Sequence, residues 1–399
     1  MAKRRITKKQ QRQIKKAAKT APVFFTIVVL LIVALVVAYV LHKKKIIHIP
    51  FLDNSSSQSS GADVDGVGGP FTEEVITSIK GDTLSIHFLE LGNKYTGDST
   101  LIKVGDTEVL IDAGSRATSA ETIISYVNNF CTDGKLEYVI ATHADQDHIA
   151  AFPGVFTAFE CGTIIDFPKT NKNTSVYNKY VDARTAEVAL GAVHYTALEC
   201  WNGVNGAQRS YTLGEGITMH FLYQEFYEKS TSDENDYSVC MLLTESYAGG
   251  ERNYLFTGDL EKDGEASLVA KNDLPKCTLF KGGHHGSKTS STDALLSVIQ
   301  PDIVCVCCCA GSDEYGAKPE NTFPTQLFVD RVAKYTQNIY VTTLANSTEA
   351  GYESMNGNIV VRVQNGEVKV HCSNNATLLK DTEWFKNNRV CPDAWASNP

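Results

Sequence analysis

Residues 23–41 read VFFTIVVLLIVALVVAYVL, nineteen in a row without a charge. A segment apolar on every face has no polar side to show to water, so it cannot lie on the surface of a water-soluble domain. Its length suits a bilayer core of roughly 30 Å. A cleaved signal peptide would carry a shorter apolar stretch and a small-residue cleavage site. Here the run ends in His42 and three lysines, which predicts an uncleaved single transmembrane helix. Nine basic residues precede the span, three follow it, and residues 1–45 contain no acid. That excess predicts a basic cytoplasmic leader at 1–22, resting on anionic lipid, an anchor at 23–41, and everything later on the extracellular side of the cell membrane.

The rest of the chain has the opposite character. The 399 residues carry a net charge of −9; setting aside the twelve basic residues of 1–45 leaves 25 Lys and Arg against 46 Asp and Glu, or −21. A body this acidic gains nothing from releasing counterions on a polyanion, which disfavours broad electrostatic binding to nucleic acid. Phosphate chemistry would need a local field, such as bound metal. All eleven cysteines lie beyond the anchor. Cys305, Cys307, Cys308 and Cys309 have neither zinc-ribbon spacing nor a nearby histidine, and read as a buried strand using cysteine as a small hydrophobe. Cys372 and Cys391 are candidates for a pair.

Residues 42–82, with the Ser/Gly/Asp-rich stretch 53–70, read as a flexible stalk. The body is expected over 83–370, followed by a C-terminal extension at 371–399. Its short alternating runs predict strands, among them two hairpins turning at Gly105-Asp106 and Asn365-Gly366. Helical spacing appears at 120–130, 175–190, 261–270, 293–299 and 325–335. Strands dominate each half with helices interspersed, an α/β pattern that suits two sheets packed face to face under outer helices.

Four clusters follow predicted strands, where loops braced by a sheet can hold ligands rigidly. Asp112 ends a strand in IDAG, and Gly114 lets the chain turn. The stretch THADQDH places His143, Asp145, Asp147 and His148 within six residues, more donors than one tetrahedral ion needs, and so suggests two ions side by side. An N-terminal helix cap at Asp147 would leave both histidines unexplained. Asp259 closes FTGD, where a carboxylate can bridge two cations. In KGGHHGSKTS, His284 and His285 are flanked by glycines, while Lys281, Ser287, Lys288, Thr289 and Ser290 offer donors for phosphate oxygens.

The series GDS (97–99), IDAG (111–114), THADQDH, NDYS (235–238), FTGD (256–259) and GGHHGSKTSS (282–291) resembles the metallo-β-lactamase superfamily. Within it, the series looks most like the hydrolase domain of the ComEC-like, DNA-uptake competence branch. The resemblance implies a four-layer αββα sandwich and two divalent metal ions, Zn²⁺ or Mn²⁺. By motif, His143 and Asp145 would bind one ion, Asp147, His148 and His285 the other, with Asp259 bridging. Asn235 or Asp236 stands where other branches have a histidine ligand, Asp236 being the further candidate, and Asp112 would orient a ligand. His284 would touch substrate or donate a proton, with Ser287 and Lys288 meeting charge on the reacting group and Asp147 handling the attacking water. Two segments depart from the family pattern: Ile149-Ala150-Ala151 replaces Ile-Gly-Gly, and YGAKP replaces Tyr-Gly-His-Pro.

The function expected is a membrane-anchored extracellular phosphodiesterase or nuclease acting on DNA or other nucleic acid. The alternatives are hydrolysis of small phosphodiesters on cell-wall polymers, such as phosphocholine or teichoic-acid units, and a non-catalytic surface binding protein with a residual metal site. A single span cannot form a DNA channel, so uptake would require a separate channel or surface protein as partner.

Overall fold

A computed structural model describes residues 71–396 except Ala317 and Asn365. The expected leader, anchor and most of the stalk lie outside the described residues. Among the described residues, no helix is long and apolar enough to cross a membrane.

Among the described residues, sixteen strands form two eight-stranded sheets. They are β1 (Ser85–Phe88), β2 (Thr100–Val104), β3 (Thr107–Ile111), β4 (Lys135–Ile140), β5 (Glu160–Asp166), β6 (Val193–Thr196), β7 (Ser210–Gly214) and β8 (Ile217–Phe221). There follow β9 (Met241–Tyr247), β10 (Gly250–Phe256), β11 (Leu279–Lys281), β12 (Ile303–Ala310), β13 (Ile339–Ala345), β14 (Tyr352–Ser354), β15 (Ile359–Gln364) and β16 (Glu367–Cys372). The first sheet runs β16-β15-β1-β2-β3-β4-β5-β6, the second β14-β13-β12-β11-β10-β9-β8-β7. The final hairpin thus returns to flank β1 and closes the first sheet.

Strand β12 shows how sequence sets the layers. Side chains alternate across a strand, so Cys305 and Cys307 join the large core cluster, which draws on both sheets. Val304, Val306, Cys308 and Ala310 point the other way, into a second cluster with Leu268, Leu295, Leu296, Phe328 and Val332. Those partners come from helices Lys262–Lys271, Asp293–Ile299 and Gln326–Val332. The first sheet is covered by helices Ser119–Val127, Phe152–Ala158 and Ser175–Leu190, whose Ile123, Val127, Phe152 and Tyr180 are buried. The α/β sandwich expected from the strand pattern is therefore present.

The body is longer at both ends than the sequence suggests. Helix Glu73–Lys80 falls inside the expected stalk, capped by the Thr72 hydroxyl. It buries Ile79, while Ser78 and Asp82 hold the buried Arg362 of β15. At the other end, Leu379, Phe385 and Trp395 of the expected extension are buried in the second cluster. The stalk boundary at 82 and the extension boundary at 371 are both displaced, because short amphipathic helices vanish next to Ser/Gly-rich or Asn-rich sequence. Cys372 and Cys391 carry free thiols rather than forming a pair.

Candidate metal centre

Three loops interlock through their backbones before any side chain is considered. Asp98 N–H donates to Asp147 O (3.0 Å), Gly114 N–H to Asp98 O (2.9 Å), and Ala113 N–H to His148 O (2.7 Å). A Cβ on Gly114 would lie 1.5 Å from Asp147 O, so only glycine permits this approach. Ala151 N–H donates to Ala113 O (2.7 Å), a backbone contact that the family's glycines are not needed to make. Asp112, at the end of β3, has φ 57°, in the left-handed region that non-glycine residues avoid. Its reward is three hydrogen bonds at 2.7 Å: from Thr142 N–H, from Thr142 Oγ1, and with His148 Nδ1. His284 and His285 are likewise left-handed, at φ 44° and 54°. Such strain clusters where a site over-determines the backbone.

These constraints aim three donor atoms at one another, with a fourth beside them. His148 Nε2 is 3.3 Å from His285 Nε2 and 3.1 Å from Asp259 Oδ2. His285 Nε2 is 3.1 Å from Asp259 Oδ2 and 3.3 Å from Asp147 Oδ2. Zinc–ligand bonds of about 2.0–2.1 Å require tetrahedral edges of roughly 3.3 Å. The three separations among His148 Nε2, His285 Nε2 and Asp259 Oδ2 meet that test, and Asp147 Oδ2 joins the triad on the His285 side. The tautomers fit as well, since His148 Nδ1 faces the Asp112 carboxylate and His285 Nδ1 donates to Cys307 O (2.8 Å). In the neutral ring each therefore keeps its Nε2 lone pair free for a metal.

Asp98 is the residue that sequence reasoning missed. GDS carried the resemblance, but nothing in a Gly-Asp-Ser turn marks its carboxylate. With His148, Asp259 and His285 it forms a buried group whose donor atoms lie within 4.8 Å of one another. Its oxygens face Nδ1 of His285 (3.2 Å) and of His148 (3.8 Å), the ring nitrogens turned away from the donor triad. It also pairs with the buried Lys281 ammonium. We therefore read Asp98 as steering both imidazoles, and Lys281 as balancing buried carboxylates rather than meeting substrate.

Charge is coupled across the group. Burial opposes charging His148 and His285, but Asp259 with Asp112, and Asp259 with Asp98, outweigh it and raise both imidazoles well above their ordinary value. Burial likewise opposes ionising Asp147 and Asp259, yet His285 and His148 hold both well below the carboxylate range. His143 differs: burial and then the His148 charge lower it well below its ordinary value. Its Nε2 is fully buried with no hydrogen-bond partner, as is Asp259 Oδ1. Leaving such atoms unpaired is costly unless a ligand fills the gap.

The other sequence-derived candidates divide. Asp145 Oδ2 lies 3.8 Å from His143 Nε2, but its other oxygen pairs with Lys172. His284 Nδ1 meets Glu261 Oε1 (3.1 Å), and its Nε2 lies 3.8 Å from Asp259 Oδ2. Ser287 is buried against Thr289 Oγ1 (2.9 Å), and Lys288 donates to Asn321 Oδ1 (3.0 Å) at the surface. Asp236 is not brought to the group. It sits in a short 3₁₀ turn, where its Oδ1 accepts from Glu261 N–H (3.3 Å), and burial pushes it up to about 6. Instead it lines a cleft of about 480 Å³ with Asp233, Glu261, Lys288 and Arg331. Tyr315 was also missed as a site residue: its hydroxyl donates to Asp147 Oδ2 (2.9 Å), and its ring packs on Phe323. Glu314 beside it is fixed by Arg116 (2.6 Å).

Residues 92–166 match the metallo-beta-lactamase superfamily. The chain is 25% identical over 208 residues to "Competence protein ComA" of Neisseria gonorrhoeae, covering 52% of this chain and 25% of that protein. It is 26% identical over 241 residues to "Recombination protein 2" of Haemophilus influenzae, covering 59% and 26%. The chain thus spans about a quarter of the length of these curated relatives. Among solved structures, the metallo-beta-lactamase fold protein YhfI from Bacillus subtilis is 13% identical, with a TM-score of 0.37, covering 67% of this chain and 98% of that one. The chain is thus similar, over part of its length, to the metallo-beta-lactamase superfamily and to competence proteins.

Proposed function

We propose that this metallo-beta-lactamase-fold chain is a membrane-anchored, extracellular metal-dependent hydrolase that cleaves phosphodiesters, with DNA or another nucleic acid as the leading substrate. The donor triad of His148, His285 and Asp259, with edges of 3.1–3.3 Å and Asp147 beside His285, carries the reading. Divalent ions bound there, zinc or manganese, would supply a hydroxide nucleophile at neutral pH and polarise the phosphoryl group. The chain's own residues do the rest. Asp112 and Asp98 hold the imidazoles in ligating orientation. Asp147, steadied by the Tyr315 hydroxyl, accepts or aligns the proton of the attacking water. His284, backed by Glu261, stands beside Asp259 with its Nε2 free of a close partner, where it can give a proton to the leaving oxygen.

The similarity to competence proteins supports DNA as substrate, with a separate channel or surface protein as partner. A second reading, cleavage of small phosphodiesters on cell-wall polymers, is favoured by the cleft beside His284. Its wall carries Asp233, Asp236, Glu261 and Asp263 against Lys262, Lys288 and Arg331, a balance suited to a zwitterion rather than a polyanion. The test is to load the full-length protein with Mn²⁺ or Zn²⁺ and assay single-stranded DNA beside bis(p-nitrophenyl) phosphate, with Asp147→Ala as control. The proposal expects metal-dependent cleavage that the variant loses. Cleavage of DNA should fall with salt far sooner than that of the small ester. Absence of cleavage of either substrate by metal-loaded protein would overturn it.

A further inference from the structure

The loop between β5 and helix Ser175–Leu190 carries a cation to the edge of the centre. Lys172 Nζ pairs with Asp145 Oδ1, and neither side chain is more than about a third exposed. The placement is built. Glu234, itself buried, accepts from Thr170 Oγ1 (2.5 Å) and from Asn171 N–H (2.7 Å). Asn171 Nδ2 donates to Thr231 O (2.9 Å), and Lys172 N–H to Thr170 Oγ1 (2.9 Å). Four hydrogen bonds therefore fix the backbone that presents the ammonium to Asp145.

The carboxylate it neutralises belongs to the poorer half of the centre. His143 Nε2 and Asp145 Oδ2 are 3.8 Å apart. Among the described residues, no third Asp, Glu, His or Cys gathers with that pair at ligand spacing. Asp236, the sequence's candidate for a third ligand, is turned onto Glu261 N–H. The other half has three donors at ligand spacing, His148, His285 and Asp259, with Asp147 beside them. We infer that Lys172 is an internal counter-cation for Asp145, so that the centre holds one divalent ion tightly and admits a second only by displacing the lysine. This rests on the metal-centre reading above and deepens it: two ions are not equivalent here, and the second is set by a side chain that can move.

Metal binding, rather than turnover, tests it. Metal-free full-length protein is titrated with Zn²⁺ by calorimetry, and bound metal is counted by elemental analysis. Wild type should take one ion tightly and a second at least about tenfold more weakly. In Lys172→Met the second step should tighten by about tenfold, the scale of one partly buried charge contact, with the first unchanged. Lys172→Arg should behave as wild type, which separates lost charge from lost packing. Two ions of equal affinity in wild type, or an unaltered second step in Lys172→Met, would overturn the inference and leave the hydrolase reading standing. No tight ion in wild type would overturn both.

Discussion

The two halves of the centre differ in how completely the fold has prepared them. In one half, Asp112 stands behind His148, Cys307 O and Asp98 behind His285, and Tyr315 on Asp147. In the other, Thr142 and Ser238 hold His143 Nδ1, but Nε2 has no hydrogen-bond partner and the neighbouring carboxylate is spent on a lysine. Both halves draw on the same six-residue motif. What separates them is whether distant loops arrive: β10 and β11 deliver Asp259 and His285 to one half, while the 3₁₀ turn at Asn235–Tyr237 withholds Asp236 from the other. A motif supplies ligands, but the rest of the fold decides which become a site.

The largest expected effect breaks the prepared half. His285→Ala should weaken binding of the first Zn²⁺ by more than about a hundredfold, beyond what loss of a merely supporting group does, whereas His143→Ala should weaken it by less than about tenfold. Equal losses in calorimetry would abolish the distinction. Next comes Asp112→Asn, which keeps the size of the side chain but loses the charge behind His148. A fall of about 10–100-fold in affinity for the first ion is expected, in the range known for groups that orient metal-bound histidines.

The pH dependence has a definite sign. His148 and His285 are raised above 6.5, so in the metal-free protein their contribution to stability is fully present below pH 6.5 and is lost as pH rises through their folded values. Asp147 and Asp259 are depressed, so theirs is present above about pH 3.8 and lost as acid protonates them. Metal must displace the imidazole protons, so Zn²⁺ affinity should rise with pH above 6.5, with up to about two protons released per ion. Calorimetry in buffers of different ionisation heat reads that release; affinity independent of pH would contradict it. The smallest effect is Tyr315→Phe, which removes one hydrogen bond worth about 1 kcal/mol and should lower turnover or metal affinity by only severalfold.

The sequence made some of this legible and hid the rest for physical reasons. Hairpins at Gly105-Asp106 and beyond Gln364, the buried cysteine strand, and clusters at the ends of β3, β4, β10 and β11 rest on local signals: period-two burial, turn residues, crowded imidazoles. Asp98 and Tyr315 act only after tertiary folding turns them towards partners 50 or more residues away, as Tyr315 meets Asp147 at a separation of 168. Lys172, in a polar loop, has no local mark at all. The helix at Glu73–Lys80 was hidden by the composition beside it. Asp236 misled for the converse reason: its place in the motif order suggested a ligand, and its backbone turns it onto Glu261 N–H.

The most direct measurement of the prepared centre is anomalous scattering at the zinc edge from crystals of the Zn²⁺-loaded protein. The ligand geometry predicts a full-occupancy peak about equidistant from His148 Nε2, His285 Nε2 and Asp259 Oδ2, near 2 Å from each nitrogen, and a weaker peak beside Asp145. Absence of a peak among those three side chains, with zinc present in the crystal, would contradict the metal centre and the hydrolase built on it.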